Sequence, residues 1–363
     1  MNKILIIVLL LVLAPAGQIV AAEKKLSPPY PIEAKHWDRH FAPETCSVVG
    51  AYMTMVRQGK DKYAAFVNTW GNLEEGLEMW TGATLTDFNS AGVVLANSKI
   101  DDLADEAGKP HPKRCITRPF IDWHRDDGFV GIVHVCRDYM PVDKRVYPAL
   151  VTSKTGKAGS WKYHGRLKGE IWDEFGDNAE KTTHSDGGAF FFQPEKSAKL
   201  NREKPLENRY VFFTSHYSGW GHVNILFSND GKEWIFYRGE DGKIVNLIPF
   251  LAGKGMIFPH IVNLRENGWS MTLSQGWPPV AIWRLWSPDG FNWQFVGEQP
   301  EIVVPDDLFI KNLSLWYDSK TALLNGYLTV RSARPDGSIQ SNKYHSQTNL
   351  FFNKDIKLSL EVQ

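Results

Sequence analysis

The residues of this chain best equipped for chemistry are a few carboxylates, imidazoles and cations that open apolar stretches. Glu44 follows Ala42-Pro43, and Asp186 follows His184-Ser185. Asp122 sits inside the run Arg118-Pro119-Phe120-Ile121-Asp122. His260 follows Phe258-Pro259, and Asn312 stands between Lys311 and Leu313. Two carboxyl groups held within reach of one bond can divide the work, one giving a proton to a leaving oxygen and the other activating water. On that reading Glu44 is the acid, Asp186 the base, and Asp122 a third candidate carboxylate lying deeper. His184 or His260 would tune the base or bind a hydroxyl group. Arg118 would hold an anion, because a guanidinium grips carboxylate or sulfate through two parallel hydrogen bonds. The competing explanation is a satisfied polar plug inside a channel, since buried polar groups are costly unless partnered.

Glu44 and Asn312 are 268 positions apart (312 − 44), so only an architecture that returns its strands to one axis gathers these groups. The chain carries the marks of one. SNDGKEW at 228–234 returns as SPDGFNW at 287–293, 59 residues later (287 − 228). Each copy follows a strand-like run, HVNILF or VAIWRLW, and leads into another, WIFYRG or WQFVGE. Asp-Gly between two such runs reads as a hairpin turn, in which Ser and Asp bond the turn backbone and the Trp returns to the core. SKTGKAGSW at 153–161, TLTDF at 84–88 and RPDGS at 334–338 echo it. Upstream, runs reaching Trp70, Trp220 and Trp277 repeat, and Pro119 to Gly128 has the same spacing as Pro259 to Gly268. The pattern gives five four-stranded units, opening near Cys46, Cys115, Ser185, Met256 and Lys311. The expected fold is an all-β, five-bladed β-propeller, with a β-sandwich as the alternative. In a propeller the first strands ring the axis, and their starts share one face with the loops carrying Trp70, Trp220 and Trp277. The Asp-Gly turns lie on the other face. Glu44, Arg118, His184, Asp186, His260 and Asn312 are therefore expected to converge on one pocket, with those Trp faces at its rim.

Residues 1–22 read as a secretory signal: Lys3, an apolar run from Ile4 to Ala14, and the small residues Val20 and Ala22. The run is too short to span a bilayer. Residues 23–43 read as a short Pro-rich arm and 44–363 as the propeller, in a secreted or periplasmic protein. Formal net charge is zero, which gives no reason to expect a nucleic-acid partner. Aromatic residues make up 13%, with 14 Trp, a content that suits either sugar stacking or a large β core. Cys46, Cys115 and Cys136 leave at least one thiol unpaired within the chain. Cys115 and Cys136 flank the turn at 125–128 and could face each other, with Cys46 and Cys115 the competing pair. Their spacing is not that of a metal site, so no cofactor is expected, a structural cation in the channel being the alternative.

The signal, the five units, the Asp-Gly-x-x-Trp turns and RPFIDWHRDDGF at 118–129 together resemble the five-bladed propeller glycoside hydrolases of families 43 and 32. The turns resemble a shortened form of the sialidase Asp-box, whose role is structural. The resemblance implies a hydrolase acting on a polysaccharide or oligosaccharide, an acidic one if Arg118 contacts it. It also implies carboxylates at the starts of successive first strands, often as Asp-Pro. The equivalent dipeptides here are Arg118-Pro119 and Phe258-Pro259. Two other functions fit the residues. One is a sugar-binding propeller without catalysis. The other is a polysaccharide lyase using a His, Tyr and Arg cluster such as His216-Tyr217 with Arg137 and Tyr139.

Overall fold

The computed structural model describes residues 44–48, 51–68, 76–100, 115–136, 146–170, 187–215, 221–276, 280–304, 308–320, 323–332 and 347–355. The strands, in chain order, are β1 (Glu44–Cys46), β2 (Ala51–Gly59), β3 (Lys62–Asn68), β4 (Gly76–Gly82), β5 (Phe88–Ala96), β6 (Cys115–His124), β7 (Gly128–Cys136), β8 (Val146–Ser153), β9 (Trp161–Arg166) and β10 (Lys168–Gly169). They continue as β11 (Gly188–Phe192), β12 (Tyr210–Thr214), β13 (Asn224–Ser228), β14 (Glu233–Phe236), β15 (Met256–Asn263), β16 (Trp269–Gln275), β17 (Ala281–Ser287), β18 (Gln294–Phe295), β19 (Ile302–Val303), β20 (Leu308–Asp318), β21 (Leu323–Ser332) and β22 (Gln347–Asp355).

These strands form antiparallel meanders. Meander I is β2-β3-β4-β5 and II is β6-β7-β8-β9. Meander III is β11-β12-β13-β14 with β10 along its outer edge, and IV is β15-β16-β17-β18 with β19 beside β17. Meander V is β20-β21-β22 completed by β1 from the start of the described chain. III and IV are joined in one ladder only by a parallel bridge between Gly188 and His260. The first strands touch in cyclic order: β2 to β6, β6 to β11, β11 to β15, β15 to β20, and β20 back to β2.

A buried cluster fills each space between neighbours. Phe66, Phe129 and Trp161 pack between I and II, and Phe120, Phe212 and Trp234 between II and III. Phe213, Met271 and Trp283 pack between III and IV, Val262, Ile282 and Leu315 between IV and V, and Met53, Tyr63 and Tyr327 between V and I. The chain is thus an all-β propeller. Because each sheet is covered on both faces, its middle strands are apolar without alternation, as in β13 (NILFS), buried throughout. Outer strands such as β9 (WKYHGR) keep the alternating pattern.

The Ser-x-Asp-Gly-x-x-Trp turns join third to fourth strands. Ser228 Oγ accepts the Gly231 amide at 3.0 Å, and Asp230 Oδ1 accepts the Lys232 and Glu233 amides at 2.7 and 3.0 Å. Ser287 and Asp289 repeat this with Gly290, Phe291 and Asn292. In each turn the Trp indole N–H donates to the Gly carbonyl, Trp234 to Gly231 at 3.1 Å and Trp293 to Gly290 at 3.0 Å. The longer echo has the same core: Ser153 caps Gly156, and Trp161 bonds the Gly156 carbonyl. The equal Pro-to-Gly spacings end in matching first turns, with Gly128 and Gly268 at φ 81° and 84°. RPDGS at 334–338 is different: it falls between β21 and β22, a second-to-third connection, and outside the described residues.

One expectation about strand order is corrected. The first strand of meander I is β2, not the segment at Cys46. Glu44 to Cys46 pair instead with Phe351, Leu350 and Asn349, as the outermost strand of V. Three residues without a local partner carry no sign of which sheet they join; a pairing with the far end of the chain decides it.

Candidate functional site

Four of the five first strands are broken near their starts by register shifts, between Ala51 and Thr54, Thr117 and Phe120, Ile257 and His260, and Ile310 and Asn312. At three of them a non-glycine residue holds positive φ: Tyr52 at 55°, Arg118 at 43° and Phe258 at 53°. Each such residue costs about 1–3 kcal/mol, and such strain collects at functional sites. In β11 the same height is occupied by Gly187 and Gly188. A Cβ on Gly187 would stand 2.3 Å from the Pro259 carbonyl oxygen, and one on Gly188 would stand 2.1 Å from that of Phe213. Glycine is required at 187 so that III and IV can meet, and at 188 so that β11 can pair with β12.

The bulges bring Tyr52, Arg118 and Asn312 to one small pocket with Gly187 and His260. The buried Arg118 guanidinium lies over the Tyr52 ring, 4.9 Å from its centroid, a cation–π arrangement that presents positive charge at the end of the axis. Below this pocket a cavity of about 210 Å³ follows the axis, lined by all five first strands. Thr54, Phe120 and His260 belong to both and form the waist between them.

His260 Nδ1 accepts the Leu315 amide at 3.1 Å, and Nε2 lies 3.4 Å from Ser314 Oγ. Acceptance at Nδ1 leaves the proton of the neutral ring on Nε2, aimed at the hydroxyl. The residue is half-buried at the cavity wall, and the desolvation of its ring lowers its pKa to about 4. His260 is therefore a neutral staple between IV and V, facing the pocket from below.

Asp122 lies on the lower cavity. Its two oxygens accept the Trp123 amide at 2.7 Å and the Phe192 amide of β11 at 3.0 Å. Burial raises its pKa, against the pull of those two amides and of His124 and Arg265. The third candidate carboxylate thus lies deeper, as expected, and ties meander II to III on the opposite side of the waist from Arg118.

The structure thus brings together Arg118, His260 and Asn312 at the upper pocket, and places Asp122 deeper, on the lower cavity that His260 also lines. Glu44, on the outermost strand of V, does not open a first strand. Asp186, His184, Trp70, Trp220 and Trp277 lie outside the described residues. The last three fall in second-to-third connections, at the opposite strand ends from the Asp230 and Asp289 turns. Sequence reasoning missed Tyr52, the counterpart of Arg118 and Phe258 in meander I. No proline follows Tyr52, and proline was the signal that marked the other two bulges. Among the described residues no group of three or more His, Cys, Asp or Glu side chains could hold a metal ion, and no helix is long and apolar enough to cross a membrane.

No protein-family model matches the sequence, and no curated protein does. Solved structures match its fold. An exo-β-1,3-galactanase from Clostridium thermocellum is 13% identical with a TM-score of 0.57, over 86% of this chain and 62% of its own. An exo-β-1,3-galactanase from Phanerochaete chrysosporium, solved with β-1,3-galactotriose, is 12% identical with a TM-score of 0.56, over 87% of this chain and 64% of its own. A family 43 β-1,3-galactosidase bound to galactodeoxynojirimycin is 13% identical with a TM-score of 0.56, over 85% of this chain and 94% of its own. The chain spans under two thirds of the length of the two galactanases. At these identities the likeness is one of fold.

Proposed function

We propose that this chain is an exported carbohydrate-active enzyme, a glycoside hydrolase acting on a polysaccharide or oligosaccharide at the top of the propeller axis. On this reading the five meanders are the blades of a complete five-bladed propeller, and the Ser-Asp-Gly-Trp turns are shortened Asp-boxes that hold its lower face. The observation that carries the reading is the convergence of Tyr52, Arg118, His260 and Asn312, from four meanders, on one pocket. The fold it shares with galactan-cleaving enzymes supports it. Arg118 would hold an anionic group of the substrate, Asn312 and Tyr52 would orient hydroxyls, and the Trp70, Trp220 and Trp277 loops would supply stacking faces. Asp186, next to the pocket-lining Gly187, would be the base. Glu44 is not carried forward as the acid.

A second reading is a propeller that binds sugar without cleaving it. One screen separates the readings. The protein is incubated with β-1,3-galactan and with acidic polysaccharides, and reducing ends and absorbance at 235 nm are followed together. Reducing ends without absorbance are expected. Absorbance would indicate a lyase, and binding with neither would indicate a lectin. With a substrate in hand, Asp186→Asn should lower turnover at least about a hundredfold, the usual scale for a lost acid or base. Arg118→Ala should instead raise KM, most for charged substrates. Full activity in Asp186→Asn would end the assignment of Asp186 as base.

A further inference from the structure

A second recess opens on the flank of the propeller, between meanders III and IV. Its volume is about 590 Å³, within the range of small-molecule sites, and none of its lining residues belongs to a first strand. Trp286, Phe291 and Tyr237, all half-buried, contribute aromatic surface, and Phe250 forms one wall. Phe250 is 44% exposed and is the exposed large hydrophobic side chain among the described residues. It is braced edge-on against Phe295, with centroids 6.0 Å apart, and Tyr237 is tilted against Phe291 at 5.4 Å.

The polar edges of this groove are mostly spent inside the fold. The Trp286 indole N–H donates to the Asn267 carbonyl, and that of Trp293 donates to Gly290. Asn246 accepts the Val223 and Ile248 amides and donates to the Gly221 carbonyl. What remains open are ring faces, with the exposed carboxamide of Gln294 at the rim and the oxygen of the Asn292 carboxamide, whose Nδ2 donates to Asp289 at 2.7 Å. Apart from the Tyr237 phenol, none of the described lining side chains is ionisable. This is the opposite of the axial pocket, where Arg118 sets a positive charge.

We propose that the flank groove is an accessory saccharide-binding site that takes neutral sugar rings of a glycan chain. An uncharged lining neither selects nor repays the desolvation of a charged partner. Flat aromatic faces match the C–H faces of pyranose rings, and amides at the rim match hydroxyls that both donate and accept. The proposal does not depend on hydrolysis at the axis.

The test is affinity electrophoresis of the full chain through gels containing neutral β-1,3-galactan, neutral β-1,3-glucan or polygalacturonate. Retardation by a neutral glycan is expected, with apparent affinity reduced about tenfold in Phe250→Ala, the usual scale for truncating an aromatic anchor. A smaller loss is expected in Gln294→Ala. Both residues are exposed, so both variants should melt with the parent, and a melting curve checks this. Dependence of the retardation on Phe250, which lines the groove and not the axial pocket, separates the two. Equal retardation of Phe250→Ala and parent overturns the proposal, as does retention by polygalacturonate alone. So does retardation that appears only in a chain shortened to begin at Glu44, which would make residues 23–43 the occupant. Phe250-dependent binding without hydrolysis would keep the groove and remove the hydrolase.

Discussion

At His260 the fold holds an imidazole neutral by enclosing it and by spending Nδ1 on the Leu315 amide. The pH consequence has a definite sign. The unfolded ring binds a proton below about 6.5, whereas the folded ring does so only near 4. Between those values the unfolded chain holds more protons, so stability falls as pH drops from about 6.5 to 4, and this site adds no slope above that window. The full effect is at most about 3 kcal/mol. Asp122, whose pKa burial raises, acts in the opposite sense above the ordinary carboxylate range. The comparison must therefore be made between variants. His260→Gln should melt lower than the parent at neutral pH and lose less on acidification to pH 4.5. Parallel melting profiles for parent and variant would show that this ring protonates freely in the folded protein.

The meander is the unit in which the turns act. Trp234 is fully buried between II and III, and Trp293 is buried between III and IV. Replacing either with Ala removes a large core side chain and a turn hydrogen bond, and should cost about 3–5 kcal/mol by denaturant unfolding. Asp289→Ala removes an acceptor whose pKa is held down to about 2 by hydrogen bonds despite some burial. It lies at the surface and should cost about 1 kcal/mol. Equal losses for Trp293→Ala and Asp289→Ala would mean that the turn, and not the buried ring, carries the stability. This was also the most legible level of the sequence. Asp-Gly before Trp, and Pro nine residues before Gly, are local signals, and each marked a real turn. RPDGS has the same letters without the following Trp, and its place in the chain is a different connection. The bulge at Tyr52 stayed hidden because a positive φ at Tyr has no compositional mark.

For the molecule as a whole, neighbouring first strands are laced around the axis by a few polar links. Thr54 donates to the Pro119 carbonyl from I to II, and Asp122 accepts Phe192 from II to III. Gly188 pairs with His260 from III to IV, His260 accepts Leu315 from IV to V, and Arg57 meets Asp318 at 3.0 Å from I back to V. Such a ring is only as firm as its weakest space, and that between V and I also depends on β1. A chain beginning after Cys46 lacks the outer strand of V and exposes Tyr327 and Met53. It should melt well below the parent by calorimetry, and unchanged melting would show that β1 is dispensable. None of this closure was readable locally, because links across the axis join residues with no regular spacing in the chain.

The pairing of β1 with β22 also sets an order of events in time. Cys46 lies opposite Asn349, 303 residues further on (349 − 46). At about 5–20 residues per second of synthesis, the first strand waits roughly 15–60 s for its partner to be made. Through that interval the Cys46 thiol lacks the enclosure it has in the folded chain. Once enclosed, its pKa rises to about 11 and it has little thiolate to react with. The same strand that completes the last sheet is thus a clock: reactivity at Cys46 reports whether β22 has reached β1.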